Sequence, residues 1–188
     1  MPYQKTEIEG VFLFTPKVFE DSRGHFFESF RRDMTLEETG FNFEVKQVNT
    51  SLSKRGVLRG IHFKKNPPGQ AKFVSVSQGK ILDLAVDLRQ SSETFGQWQA
   101  FELSQENNHS LLLGYGIGHA FLALEENTKV SYLCDSVFEP EIEFGINPLE
   151  AGINWQELAE PFGVYEFVVN EKDSLAPGLS EAEHLLFA

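Results

Sequence analysis

The chain has 188 residues, 41% apolar and 23% charged, the balance of one folded globular domain and not of a disordered tail or a two-domain protein. Sixteen Lys and Arg against 28 Asp and Glu leave a net charge of −12, a field that repels phosphate backbones and anionic lipid, so no nucleic-acid or membrane partner is expected. A single cysteine, Cys134, excludes an intrachain disulfide, and with no apolar leader and no run near the ~18 apolar residues of a membrane span, a cytoplasmic location is expected.

Short period-two segments dominate the pattern. Residues 8–14 read as a first strand, too apolar to be left as a bare edge and therefore expected to pair across a two-fold homodimer. A turn at Asp21-Ser22-Arg23-Gly24 leads into a second run, 25–30. Residues 31–39 form the best helical segment of the first half, stopped by Gly40. From Phe43 onward, strand signals recur at 43–49, 57–63, 72–77, 80–88, 97–103, 110–114, 119–124 and 128–138. Pro67-Pro68-Gly69 is a loop, Gln78-Gly79 predicts a tight hairpin, and Asp87 and Arg89 are expected to end their strand at the surface. Ser180-Glu181-Ala182-Glu183 has capping-box spacing and predicts a short helix through Leu186. The 18 Phe call for a large buried apolar area. The whole predicts a mainly β fold, an antiparallel sandwich or barrel with short peripheral helices. No linker divides 1–188, and the barrel spans about 43–138 with the N-terminal strands and C-terminal extension packed on it.

The densest chemistry lies in Gly56-Val-Leu-Arg59-Gly-Ile-His62-Phe and Gln70-Ala-Lys72-Phe, where charged side chains interrupt apolar strand. Any one of them could point to solvent, but Asp83, His119 and Tyr132 appear in the same setting, and together they suggest a polar-lined cavity. Strict alternation puts Arg59 and His62 on opposite faces, so a shared site requires a bulge at Gly60. Cys134 shares strand parity with Tyr132 and reads as a small buried hydrophobe near that site. His25, His109 and His184 have no convergent partners and read as surface or locally bonded histidines. Asp83 reads equally as a partner of His119 or Lys72, or as a hydrogen-bonded interior carboxylate.

Gly56 to His62 and Gly116-Ile-Gly-His119 are similar to the two motifs of cupin jelly rolls. Lys64 replaces the second metal-binding His and the ligand Glu is missing, so a barrel without metal is expected. Without a metal, the groups suit proton transfer: a His as base, a Lys beside a developing oxyanion, a Tyr as acid, and Arg23, Arg59 and Lys172 for an anionic group such as a diphosphate.

The resemblance then becomes specific. Asp21-Ser-Arg23-Gly-His-Phe-Phe-Glu28, Gln47-Val-Asn49-Thr-Ser51, Gly56 to Phe63, Asp83-Leu-Ala-Val-Asp87-Leu-Arg89, Thr94-Phe-Gly-Gln-Trp98, His119-Ala-Phe121, Tyr132, Glu143-Phe-Gly145 and Lys172-Asp173 follow in order. This pattern, from about residue 5 to 178, resembles the dTDP-4-dehydrorhamnose 3,5-epimerase family. The resemblance implies a jelly-roll homodimer that inverts C3 and C5 of dTDP-4-dehydro-6-deoxy-glucose without cofactor or metal. By position it makes His62 the general base, Asp173 its orienting partner, Lys72 the enolate stabiliser and Tyr132 the acid. It makes Arg23, Glu28, Gln47, Asn49, Arg59, His119, Glu143 and Lys172 the groups that hold the nucleotide diphosphate and sugar, with Asp83 behind them. Lys64 stands where Gln often occurs, Ala120 where Gly does and Phe138 where Tyr often does. A C3-only epimerase, a 3,4-ketoisomerase and a non-catalytic sugar-nucleotide binder are the alternatives; the last would need no acid–base pair.

Overall fold

The computed structural model describes residues 2–65, 67–182 and 185. The chain opens with strands β1 (Tyr3–Lys5), β2 (Val11–Phe14), β3 (Phe19–Asp21) and β4 (Gly24–Phe26), followed by helix α1 (Arg32–Thr39). The barrel strands are β5 (Gln47–Ser53), β6 (Leu58–Lys64), β7 (Lys72–Gln78), β8 (Lys80–Asp87), β9 (Trp98–Ser104), β10 (Ser110–Leu113), β11 (Ile117–Ala123) and β12 (Thr128–Cys134). β13 (Glu143–Gly145) and short helices α2 (Trp155–Ala159) and α3 (Glu171–Ser174) complete the chain. Two sheets result, β1-β2-β10-β7-β12-β5 and β13-β6-β11-β8-β9, with β3 and β4 forming a separate hairpin. From β5 to β12 the chain switches sheet at every step but one (β8 to β9 stays in one sheet as an antiparallel neighbour), which is the predicted jelly-roll arrangement among the described residues.

Three layers of apolar side chains explain why the strands do not alternate cleanly. Val74, Ile81, Leu103, Leu111, Phe121 and Val130 fill the space between the sheets at one end. The outer face of the five-stranded sheet (Leu58, Ile61, Phe63, Leu84, Leu122) is covered by Ile146, Trp155, Ala159 and Val164 of the C-terminal segment. The outer face of the six-stranded sheet is covered by Phe rings: Phe30 packs on Phe43 at 5.5 Å and on Phe73 at 5.3 Å, and Phe14 on Phe73 at 5.6 Å. Each ring fully buried there is worth roughly 2–3 kcal/mol. Covered on both faces, β8 and β11 are almost continuously buried.

Several expectations are corrected. The first strand run is split into β1 and β2, and β2 lies between β1 and β10 of the same chain, so it is not a bare edge needing a partner copy. α1 secures the β1 edge: Glu38 accepts the Tyr3 N–H at 3.1 Å, and the buried Tyr3 hydroxyl meets Thr35 at 2.7 Å, burial pushing that phenol up to about 12. Gly40 ends α1 in the left-handed region, as predicted. The 25–30 strand is limited to β4, and 43–49 is displaced to β5 because Phe43 belongs to the ring cluster, fully buried before the strand begins. Gln78-Gly79 is not a hairpin. It is a corner between β7 of one sheet and β8 of the other, and a Cβ on Gly79 (φ +76) would stand 2.5 Å from Thr128 Oγ1. Ser180 and Glu181 lie in a turn, while Glu183, His184 and Leu186, with the rest of the helix expected there, lie outside the described residues. No helix of the described residues is long and apolar enough to cross a membrane.

Asp87 is also corrected: it is fully buried, not at the surface. It accepts hydrogen bonds from the Arg89 backbone N–H (3.0 Å), Arg89 Nε (2.9 Å) and Nη2 (2.7 Å), Ser92 Oγ (2.6 Å) and Thr94 Oγ1 (2.5 Å), and so organises the turn between β8 and β9. Burial works to raise its pKa, but the donors outweigh it and bring the carboxyl down to about 2. An unfolded aspartate titrates near ~3.9, so this contribution is complete above that value and is lost as the pH falls through about 2. Asp87→Ala is expected to lower stability at neutral pH by about 2 kcal/mol, seen as a lower melting temperature. It should also flatten the acid-side fall in stability, and an unchanged melting temperature would show that the turn does not depend on this carboxylate.

Candidate active site

The end of the inter-sheet space not filled with apolar side chains is a cavity of about 310 Å³, within the range of small-ligand sites. β6 contributes Arg59 and His62, β11 His119 and Phe121, β7 Lys72, β12 Tyr132 and Cys134, and β5 Gln47, Asn49 and Ser51. Gln70, Phe138, Glu143, Phe144 and Lys172 complete the wall.

The bulge required at Gly60 is present. His62 pairs with His119, but Arg59 pairs with Phe121, so three steps along β6 match two along β11. Gly60 has φ +111, and a Cβ there would stand 2.5 Å from the His119 carbonyl oxygen and 2.7 Å from Ala120 Cα, which only glycine avoids. The extra residue turns Arg59 and His62 into one cavity while Leu58, Ile61 and Phe63 face the outer core.

Asp173 lies behind His62, buried, with Oδ1 2.7 Å from His62 Nε2 and Oδ2 accepting the Gly60 N–H at 3.2 Å. Asn170 sets its position: the Asn170 side chain caps α3 by accepting the Asp173 N–H at 2.7 Å, and its amide donates to Asp173 Oδ2 at 3.3 Å. Burial acts to raise the Asp173 carboxyl, but the His62 hydrogen bond and charge, the Gly60 N–H and Lys172 together hold it below the usual carboxylate range. An ionised Asp173 takes the Nε2–H of His62 and leaves Nδ1 as the ring's acceptor. His119 repeats the arrangement, with Nε2 2.6 Å from Asp83 Oδ1, so Asp83 partners His119 and not Lys72.

On the opposite sheet, burial pushes the Lys72 ammonium down. Cys134, Glu143 and Asp135 pull it back up, and Lys64 pushes it lower. Burial likewise pushes the Tyr132 phenol well above its ordinary value, opposed by a hydrogen bond with Ser51 at 3.0 Å. The Tyr132 ring stands edge-on to His119, centroids 5.9 Å apart. A phenol held neutral can give a proton, and a desolvated ammonium is a strong donor to an oxyanion.

Two predicted residues are not brought to the cavity. Arg23 is 88% exposed on the β3–β4 hairpin and pairs with Asp21, and Glu28 is exposed and pairs with Arg31 at 3.3 Å. His25 is also exposed, stacked near Phe27. Gln70 lines the cavity, as its place beside Lys72 suggested, while Phe121, Phe138, Phe144 and Ser51 line it without having been assigned a role from the sequence. Ser51 was legible: it shares period-two parity with Gln47 and Asn49. Cys134 is buried in the wall, as its parity suggested.

Lys64 is fully buried, its ammonium 2.7 Å from Glu139 Oε1 and 2.9 Å from the Val137 carbonyl. Among the described residues no group of three or more His, Cys, Asp or Glu is arranged to hold a metal ion. Because the Lys64 ammonium occupies the position of a cupin metal-binding His and would repel a cation, turnover is expected to survive exhaustive chelation in full; a loss restored by a divalent ion would place a metal in the mechanism.

Comparison with known proteins agrees in sequence and in structure. The profile of a family described as dTDP-4-dehydrorhamnose 3,5-epimerase matches residues 5–181. A protein of that name from Mycolicibacterium smegmatis is 41% identical, over 97% of this chain and 88% of its own length. A dTDP-4-dehydro-6-deoxyglucose 3-epimerase from Streptomyces bikiniensis is 39% identical, over 95% of this chain and 89% of its own. The crystal structure of a Legionella pneumophila 3,5-epimerase in complex with dTDP-4-keto-L-rhamnose superimposes with a TM-score of 0.89 at 35% identity, covering 98% of this chain and 96% of that one.

Proposed function

The chain belongs to the dTDP-4-dehydrorhamnose 3,5-epimerase family, an isomerase family, and we propose that it performs the 3,5-epimerisation by a two-sided proton transfer across its cavity. The substrate is dTDP-4-dehydro-6-deoxy-glucose and the product dTDP-4-dehydro-L-rhamnose. The observation that carries the mechanism is the division of labour between the sheets: the His62–Asp173 pair lies on the five-stranded sheet, and Tyr132 and Lys72 on the six-stranded one, all around one cavity.

The C4 ketone acidifies the C–H bonds at C3 and C5. His62 takes one of these protons, Lys72 meets the negative charge that moves to the C4 oxygen, and Tyr132 delivers a proton to the opposite face of the same carbon. Repetition at the second carbon completes the reaction, with no cofactor in any step. Gln47, Asn49, His119 and Glu143 hold the sugar, and Arg59 and Lys172 take the diphosphate, their local charge opposing the net −12 of the chain. The buried, unpaired Cys134 supports a reducing cytoplasm as the working compartment.

Reactions run in deuterated water separate the roles. His62→Asn is expected to abolish both solvent exchange and product, since no enolate forms. Tyr132→Phe should keep exchange, through return of a solvent-derived proton on the same face, while inversion falls by ~10²–10⁴-fold. Lys72→Met should suppress both, and Asp173→Asn should weaken both less completely than loss of His62. Equal loss of exchange and inversion in Tyr132→Phe would overturn the acid assignment. Exchange at C3 alone would favour the 3-epimerase reaction named for the Streptomyces bikiniensis relative.

The active form we propose is a two-fold homodimer. β5 ends its sheet with seven residues, Val48 and Leu52 exposed along it, and the β3–β4 hairpin exposes Phe19 and Phe26. Such an edge invites pairing with a second copy. Arg23 and Glu28 lie outside the cavity of their own chain and can serve as nucleotide contacts only in the cavity of a partner. Light scattering at micromolar concentration is expected to give the mass of two chains, and Arg23→Ala to raise KM about tenfold. A monomer with unchanged KM in that variant would remove both proposals.

A further inference from the structure

We propose that Ser51 positions the Tyr132 acid and relays to it the proton that restores it after each inversion. This rests on the reading of Tyr132 as the acid and extends it to a residue that no part of that reading uses.

The contact follows from register. β12 and β5 pair Tyr132 with Asn49 and Val130 with Ser51, so Tyr132 and Ser51 are diagonal neighbours on the cavity face of the sheet. Ser51 Oγ and the Tyr132 hydroxyl are 3.0 Å apart, and among the described residues the phenol has no other hydrogen-bond partner. The ring is fixed edge-on to His119 and lies 6.5 Å from Phe121, centroid to centroid. Packing thus sets where the phenol oxygen stands, but the direction of its single O–H is set by Ser51.

Direction decides function here. A phenol that donates to Ser51 has its proton turned away from the sugar. A phenol that accepts from Ser51 has its own proton free to point into the cavity. The second arrangement is the productive one, and it places a donor on the phenolate charge that develops as the proton leaves. Burial raises the cost of that charge and the Ser51 hydrogen bond lowers it, while Asp83 and Cys134 raise it and Arg59 lowers it.

The protons balance. Transfer from Tyr132 to the carbon leaves a phenolate. The Ser51 proton passes to it while Ser51 takes one from solvent water in the same step, so no serine alkoxide accumulates. The proton taken from the sugar leaves His62 to solvent, and the net change is zero. Ser51 is half-buried on the outermost strand of its sheet, where it is within reach of both the phenol and solvent.

The experiment compares Ser51→Ala, Ser51→Thr, Tyr132→Phe and the double variant Tyr132→Phe/Ser51→Ala, following inversion and solvent exchange together in deuterated water. Ser51→Ala is expected to lower kcat for inversion about 10- to 100-fold with KM unchanged and exchange retained. Ser51→Thr, which keeps the hydroxyl, should recover inversion to within about threefold, and the double variant should be no slower than Tyr132→Phe alone. Inversion unchanged in Ser51→Ala, exchange lost along with it, failure of Ser51→Thr to rescue, or multiplying effects in the double variant would each overturn the proposal. If Tyr132→Phe itself loses exchange and inversion equally, the acid assignment fails first; if it shows the expected split and Ser51→Ala does not, only the role of Ser51 fails.

Discussion

The site depends on one carboxylate. Asp173 accepts the Gly60 N–H with one oxygen and meets the His62 ring nitrogen with the other, so the same group secures the bulge in β6 and the orientation of the imidazole. These are two parts of one problem. In a regular strand Arg59 and His62 would face opposite sides of the sheet, and the added residue at Gly60 is what turns both inward. A buried carboxylate is costly unless its oxygens are bonded, and Asp173 meets that demand with a strand amide, a histidine and the Asn170 side chain. It reaches them only because the C-terminal segment packs Ile146, Trp155, Ala159 and Val164 over the outer face of the five-stranded sheet. An apolar layer on the outer face of the sheet therefore holds the His62 imidazole in place.

Much of this was legible because the relevant information is local. Period-two parity alone places Gln47 with Asn49, and Tyr132 with Cys134, and the glycine between Arg59 and His62 marks where parity has to break. The failures share a different cause. Phe43, Gln78-Gly79 and the apolar run in 8–14 all carry strand or hairpin signals, but which sheet a segment joins is a tertiary fact. Phe43 is drawn into a ring cluster, Gly79 turns a corner between sheets, and β2 is shielded by β1 and β10. Asp87 was misplaced because its donors, Ser92 and Thr94, stand beyond the strand end and look like ordinary turn residues. Arg23 and Glu28 match their motif in sequence and still lie away from the cavity of this chain, paired instead with Asp21 and Arg31.

A two-sheet barrel suits an inversion for a geometric reason. Groups on a single strand or loop approach a bound carbon from one side, whereas here the inner faces of two different sheets bound the ligand space, so His62 on one and Tyr132 on the other, the proposed base and acid, are opposed by construction. The far end of the same space is packed with Val74, Ile81, Leu111 and Val130, so the polar groups gather at the other end. Desolvation at that end serves both proposed partners of the base: it keeps the Tyr132 proton on its phenol, and it makes the Lys72 ammonium readier to share its proton with an enolate oxygen.

The cavity also shows where the fold accepts a cost. Among the described residues Asp83 Oδ2 and Glu143 Oε1 are buried without a hydrogen-bond partner, and an orphaned polar atom costs on the order of 1–3 kcal/mol. Both belong to the site: Glu143 lines the cavity, and Asp83 grips His119 through its other oxygen. Lys72 lines the same cavity, its ammonium desolvated by burial. By contrast, the buried charges away from the cavity mouth are saturated, Asp87 by Arg89, Ser92 and Thr94, and Lys64 by Glu139, Ser136 and the Val137 carbonyl. Polar groups satisfied in the framework and unpartnered in the cavity are what a substrate rich in hydroxyl, carbonyl and phosphate oxygens would complete, and its binding would offset part of their burial cost.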